Sequence, residues 1–290
     1  MADLQTTRLQ SIRTARGANR AIIRMFLAVF LTWCAGTMTA AGADLYRTKV
    51  TVTGQGEANR MVGFAAGLED VLIKASGAQK LSGDRRLAAY KSKAKDFVRA
   101  FSYRDQFFGK PIRDEQGTRD RPFDLTVEFE EGKIDDILKA LSLKPWLSHR
   151  PSLAVFVEMR QGPKNYMVTT DGPQSDLQRD SLLAAADKRG MDIVLPSTGA
   201  FTRLPPPPAA FVLELGGEAA LYGRLVWDDR ELGWTTQWEM DGHDQAYRWE
   251  MRGLTFDETF RRGIGGAAQI LSGNGQPATR SSSVGGNKLH

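Results

Sequence analysis

Hydrophobic positions along this chain change their period in step with its glycines and prolines. Tyr46, Thr48, Val50 and Val52 alternate with Arg47, Lys49 and Thr51, the two-residue period of a half-buried strand, and Gly54 and Gly56 end the run. From Glu57 the spacing becomes three and four. Met61, Phe64, Leu68, Val71 and Leu72 form one apolar helical stripe, with Gly77 placed to stop it. A shorter helix is expected over residues 84–95, then a strand through Phe97, Phe101 and Tyr103. The clearest strand has Phe123, Leu125, Val127 and Phe129 alternating with Asp124, Thr126, Glu128 and Glu130. Ile134, Ile137, Leu138 and Leu141 make another helical stripe, closed by Pro145.

Beyond Pro151 the pattern differs. Leu153-Ala154-Val155-Phe156-Val157 is continuously apolar, as expected of a strand covered on both faces, and Gly162-Pro163 bounds it. Ser175 with Gln178 reads as a capping box for a helix through Leu177, Leu182, Leu183 and Ala186, ended by Gly190. Ile193-Val194-Leu195-Pro196 supplies the next strand, so strand, helix and strand fit one parallel crossover. After the prolines at 205–208, three strands are expected over residues 221–227, 234–240 and 247–251, with Asp241-Gly242 turning between the last two. Thr255 and Glu258 cap a final helix carrying Phe256, Phe260, Ile264, Ala267 and Leu271.

These elements predict a mixed α/β and α+β fold in two small domains. An N-terminal α+β domain covers residues 44–146. A C-terminal α/β domain covers 151–272, a three-layer-like mixed sheet with one parallel βαβ unit. The break falls at Lys144-Pro145-Trp146 and His149-Arg150-Pro151. Residues 273–290, rich in Gly, Ser and Asn, read as a disordered tail.

The first 43 residues change the reading of charge. Arg8, Arg13, Arg16, Arg20 and Arg24 precede an apolar run from Met25 to about Met38 and then Ala41-Gly42-Ala43, the layout of an export signal with cleavage expected after Ala43. The run contains Thr32, Trp33, Gly36 and Thr37, short and polar for a bilayer span, so a retained anchor is the weaker alternative. Cys34 is the chain's single cysteine, and Trp33 stands before it where a lipoprotein leader needs a small residue. The expected mature chain keeps 34 basic and 33 acidic residues, so the basic excess belongs to the leader and nucleic acid is not an expected partner. It also lacks cysteine, which excludes disulfides and thiolate chemistry. A periplasmic location follows from this reading.

Candidate chemistry is sparse. His149, His243 and His290 lie in a linker, a turn and the tail, and do not converge on a metal; no metal or cofactor is expected. No Gly-x-Ser-x-Gly elbow is present. Gly54-Gln55-Gly56 follows a strand, but Asn59 stands where a dinucleotide fingerprint needs its third glycine. Gly263, Gly265 and Gly266 suit close helix-to-sheet packing. Asp135-Asp136 and Asp228-Asp229 are adjacent pairs whose side chains diverge, and Asp124, Glu128 and Glu130 read as a wet sheet face. The most suggestive cluster is aromatic. Tyr222, Trp227, Trp234, Trp238, Tyr247 and Trp249 fall on three successive strands, where they serve either as a partner or ligand surface or as core beneath the final helix.

The order of motifs resembles the exported bacterial family catalogued as domain of unknown function 2066. The resemblance rests on Asp44-Leu45-Tyr46, Val71-Leu72-Ile73-Lys74 before Ser76-Gly77, Phe101-Ser102-Tyr103, Pro151-Ser152-Leu153-Ala154-Val155, Asp192-Ile193-Val194-Leu195-Pro196, and Leu221-Tyr222-Gly223-Arg224-Leu225 followed by Trp234 and Trp238. It implies an envelope location and brings no catalytic residue. The second half is more loosely similar to the N-terminal α/β domain of TolB-type proteins. The resulting expectation is a periplasmic, non-catalytic interaction or assembly module with an envelope protein or cell-wall partner. The alternatives are a hydrolase or carbohydrate-binding protein acting on wall material, and a soluble ligand-binding protein with its pocket at the end of the parallel strands.

Overall fold

Alternation along the first strand becomes a buried and a wet face. In the computed structural model, which describes residues 45–109, 121–199, 209–241 and 245–279, β1 (Arg47–Thr53) buries Val50 and Val52 and exposes Arg47, Lys49 and Thr51. It pairs antiparallel with β3 (Pro122–Phe129), whose other side takes β2 (Val98–Asp105), giving the order β1-β3-β2. Helix α1 (Glu57–Ser76) covers the apolar face with Phe64, Leu68, Val71 and Leu72, and Gly77 ends it at φ 72°, its N–H donating to the Ile73 carbonyl. Helix α2 (Glu131–Ala140) completes this core through Ile134, Ile137 and Leu138. The helix expected over 84–95 is a single α-turn (Ala88–Lys91) between two 3₁₀ turns (Arg85–Leu87 and Ala94–Phe97), and Phe97 closes the second instead of opening the strand. Pro145 is not what stops α2, which has already ended at Leu141, where Ser142 takes φ 60°.

The second sheet is mixed. β4 (Leu153–Gln161) is buried from Leu153 through Met159, as its unbroken apolar run requires. Gly162-Pro163 turns it into β5 (Lys164–Met167), a hairpin partner that the apolar pattern did not reveal. Helix α3 (Asp176–Arg189) returns the chain to β6 (Ile193–Val194), parallel to the start of β4, so the crossover is present. The capping box is not: Ser175 closes a 3₁₀ turn (Pro173–Ser175), and its hydroxyl bonds backwards to the Gly172 carbonyl and the Thr169 N–H. A helix missed in the sequence, α4 (Ala209–Glu214), precedes β7 (Ala219–Asp228), β8 (Gly233–Asp241) and β9 (Ala246–Leu254), in the order β5-β4-β7-β8-β9. The Gly242 turn lies outside the described residues. Helix α5 (Phe256–Leu271) starts at Thr255, whose hydroxyl accepts from the Glu258 N–H.

Helices α3 and α5 pack on one face of this sheet, and α4 sits on the other against Phe156 and Tyr222, so the layering is helix, sheet, helix and the fold is mixed α/β. Each sheet keeps its own core, and the seam between them is polar. Arg150 donates to the Lys74 carbonyl at 2.8 Å, the Trp146 carbonyl at 3.2 Å and the Arg189 carbonyl at 3.0 Å, its guanidinium lying 4.3 Å over the Trp146 ring. Lys188 pairs with Asp70 at 2.9 Å, and Arg189 Nε donates to Gln79 at 2.8 Å. The tail reading gives way over residues 273–279: Asn274 donates to the Ser76 carbonyl and Gln276 to the Arg248 carbonyl. Residues 280–290, like residues 1–44, lie outside the described residues.

Candidate functional site

The aromatic row faces mainly inward. Trp227 stands opposite Trp234 in the β7–β8 register and Trp238 opposite Trp249 in β8–β9, and the second pair stacks at 6.4 Å beneath α5. Trp234, Trp238 and Trp249 are buried, with Trp227 and Tyr247 partly buried against the same core. Tyr222 points to the other face and stacks on Phe156 at 5.4 Å. A shared binding surface of all six is therefore not formed; alternation splits them, and the apolar underside of α5 covers the larger group. Core packing also accounts for Gly263 and Gly266, which lie against Trp238 and Trp249.

What the two outermost rings do line is a cleft of about 890 Å³ where β7 begins and β8 ends. Val212 and Leu213 of α4 form one wall, and Ile270 and Leu271 at the end of α5 another. Tyr222 and Tyr247 contribute to its sides, and Glu218 and Asp241 bring carboxylates. Burial, then the charges of Asp241 and Glu239, push the Tyr222 phenol up to about 12, so it stays a neutral hydrogen-bonding group across the physiological range. His149 Nε2 lies 2.7 and 2.9 Å from the two Glu218 oxygens, and the Ser152 N–H donates to one of them. Those bonds, the one from His149 first, hold the Glu218 carboxyl below its usual range. His149 was read as a solvated linker residue; it is exposed, but it has a partner. The cleft lies by the N-terminal ends of the parallel strands, opposite to where a pocket was expected. It was not legible because its wall, α4, follows a proline run whose short apolar sequel is below the length at which a helical period declares itself.

The remaining candidates scatter. Asp135 accepts from the Tyr46 hydroxyl at 2.9 Å, tying α2 to the start of the first sheet and, with burial as the larger cause, raising the phenol's pKa. Asp124, read as solvated, is buried: Arg104 donates to it at 2.6 Å and Gln106 at 2.7 Å, because β3 is the central strand of its sheet. Asp228 caps the β7–β8 loop through the Arg230 N–H, while Asp229 accepts from the Trp227 indole. Among the described residues no group of three or more His, Cys, Asp or Glu is placed to hold a metal ion. His243 and His290 lie outside the described residues.

Comparison with known proteins corrects the family reading. The chain is similar, over residues 40–147, to a family described as Domain of unknown function (DUF8605), which is a different family from domain of unknown function 2066. No curated protein and no solved structure matches the chain, so the likeness of the second half to TolB-type domains has no support. Short motifs such as Ser76-Gly77 and Leu221-Tyr222-Gly223 report on helix stops and strand packing, which unrelated mixed folds share.

Proposed function

We propose that this is an exported, non-catalytic binding module of the cell envelope, and that it holds an apolar segment of a partner protein in the cleft between α4 and the end of α5. The cleft itself carries the reading. Its walls are aliphatic and aromatic, Leu213 is 66% exposed on α4, and its two carboxylates favour a segment carrying a basic residue beside its apolar positions. Export rests on the arginine-rich leader. The test is recovery of envelope proteins on the mature chain with photocrosslinkers at position 213 and, as a control, at the exposed Lys144. Specific capture at 213 that is lost on Leu213→Glu supports the reading; equal capture at both positions defeats it.

A second reading, hydrolysis of wall glycans, draws on one observation: Glu218 and Asp241 line the same cleft. Its roles would be assigned by environment. A glycosidase needs one carboxyl protonated and one ionised; His149 and the Ser152 N–H favour the ionised form of Glu218, which would leave the acid role to Asp241. Release of soluble fragments from purified wall by the mature chain, lost on Asp241→Asn, would establish hydrolysis in place of binding.

A further inference from the structure

A second site, independent of the cleft, lies at the seam between the two sheets. The 79–82 turn, helix α5 and the C-terminal segment enclose a cavity of about 70 Å³ that opens to solvent. Its polar lining is Gln79, Lys80, Ser82, Arg262 and Gln269, and no carboxylate contributes to it. The apolar side includes Trp249 and Pro277.

The nearby acids are engaged elsewhere. Glu69 accepts from Lys91 and from the Gly83 N–H, Asp70 pairs with Lys188, and Glu258 pairs with Arg261 and with Arg262 Nε. Among the described residues Arg262 thus keeps its terminal nitrogens, and Lys80 Nζ has only the Asn274 carbonyl at 3.3 Å. Gln79 is oriented by the Arg189 Nε–H on its carbonyl oxygen, which leaves its amide N–H₂ to offer. Gln269 is saturated: its oxygen accepts from the Lys80 N–H, and its nitrogen donates to the Gln276 carbonyl at 3.0 Å. The ring of groups left to bind anything consists of two cations, an amide N–H₂ and a hydroxyl.

The surrounding chain reinforces that sign. Residues 79–99 carry Lys80, Arg85, Arg86, Lys91, Lys93, Lys95 and Arg99 against Asp84 and Asp96 only, so they concentrate positive charge while the rest of the expected mature chain is slightly acidic. Arg85, Lys93 and Lys95 are exposed. Such a local excess attracts anions before any contact forms. The volume holds a few water-sized groups, which suits a tetrahedral oxyanion and excludes a sugar or nucleobase.

We propose that this cavity binds a phosphate group, with Lys80 and Arg262 as its cationic ligands and Ser82 and the Gln79 amide as neutral donors. The phosphate is either free or carried on a lipid headgroup, and both present the same oxygens. The experiment titrates inorganic phosphate into the mature chain by calorimetry, with the emission of Trp249 at the cavity wall as a second readout. It is repeated with vesicles of phosphatidylglycerol in phosphatidylcholine. Saturable binding of either probe is expected, about tenfold weaker in Lys80→Gln and in Arg262→Gln, as loss of one charge-assisted bond implies, and unchanged in Lys144→Gln. Lys80 is exposed, so its variant retains the fold and keeps the test meaningful even if Arg262→Gln loosens α5. Binding of phosphate alone identifies a free anion, and binding of the vesicles identifies a headgroup. No saturable binding of either probe, or binding undiminished in Lys80→Gln, overturns the proposal.

Discussion

Gly263 of α5 lies flat against the indole of Trp238: a Cβ at that position would overlap Cζ2 of the ring. The same indole is met from β7 by Gly223, where a Cβ would come within 2.6 Å of Cζ3. Trp238 is 1% exposed and has no room to move, so a helix can cross this sheet closely only where the residue above the tryptophan has no side chain.

Gly263→Ala is therefore expected to destabilise the protein by about 1–3 kcal/mol, although alanine is the better helix former. Urea denaturation checks this. A neutral or stabilising result would mean that α5 lies farther from the sheet than described.

Arg150 makes the corresponding prediction for the seam. It sits where α1 and α3 end, its guanidinium donating to the carbonyls of Lys74, Trp146 and Arg189. Arg150→Met removes these donations from a largely buried seam and is expected to cost about 2–4 kcal/mol, with Arg150→Lys only partly restoring it because one ammonium cannot span three chain segments. Thermal melting measures the loss, and hydrogen exchange should report faster opening at the last turns of α1 and α3 together.

These two relationships mark what was legible in the sequence. Period and punctuation placed β1, α1, β3, β4, α5 and the crossover correctly, since one-sided burial leaves its spacing in the chain. Gly263 and Gly266 of α5 were read rightly as helix-to-sheet packing residues, whereas Gly265 lies against Gln79 of the 79–81 turn, a contact that only the topology creates. Arg150 looked like linker, because a residue that satisfies backbone carbonyls of distant segments has no pattern of its own. The cleft stayed hidden for the same reason: Val212, Tyr222 and Ile270 come together only through topology. The aromatic row left surface and core as open alternatives, because the pattern reports which residues share a face and not what covers that face; burial beneath α5 decides for core in the larger group.

Acid sensitivity should trace in part to Glu158. It stands opposite Arg224 in the β4–β7 register, and Arg160 and Arg224 both donate to it. Burial alone pushes its carboxyl up, but those bonds outweigh burial and hold it below the ordinary value. A carboxyl lowered in the folded state contributes stability above its unfolded pKa and loses it as pH falls through the folded one. Both arginines are more than a third exposed, so the contribution is limited to about 1 kcal/mol. Glu158→Gln should be less stable than the parent at neutral pH and approach it in acid, as the pH falls through the lowered carboxyl's range, a convergence that denaturant titrations at neutral and acid pH would reveal. A constant difference would assign the loss to packing.

The β7–β8 loop offers a prediction of opposite sign. Leu232 takes φ 46° and is 79% exposed, a bulky apolar side chain held in a left-handed conformation with most of its surface in solvent. The turn is kept by Asp228, which accepts from the Arg230 N–H at 2.8 Å, and not by the leucine. Leu232→Gly is expected to raise stability by about 0.5–1 kcal/mol, since relief of the left-handed penalty exceeds the added freedom of the unfolded chain. Leu232→Asn should give a smaller gain through its own tolerance of that conformation. Melting temperatures of the two variants against the parent decide the matter. A loss in both would show that the leucine side chain contributes contacts within the loop that outweigh its strain.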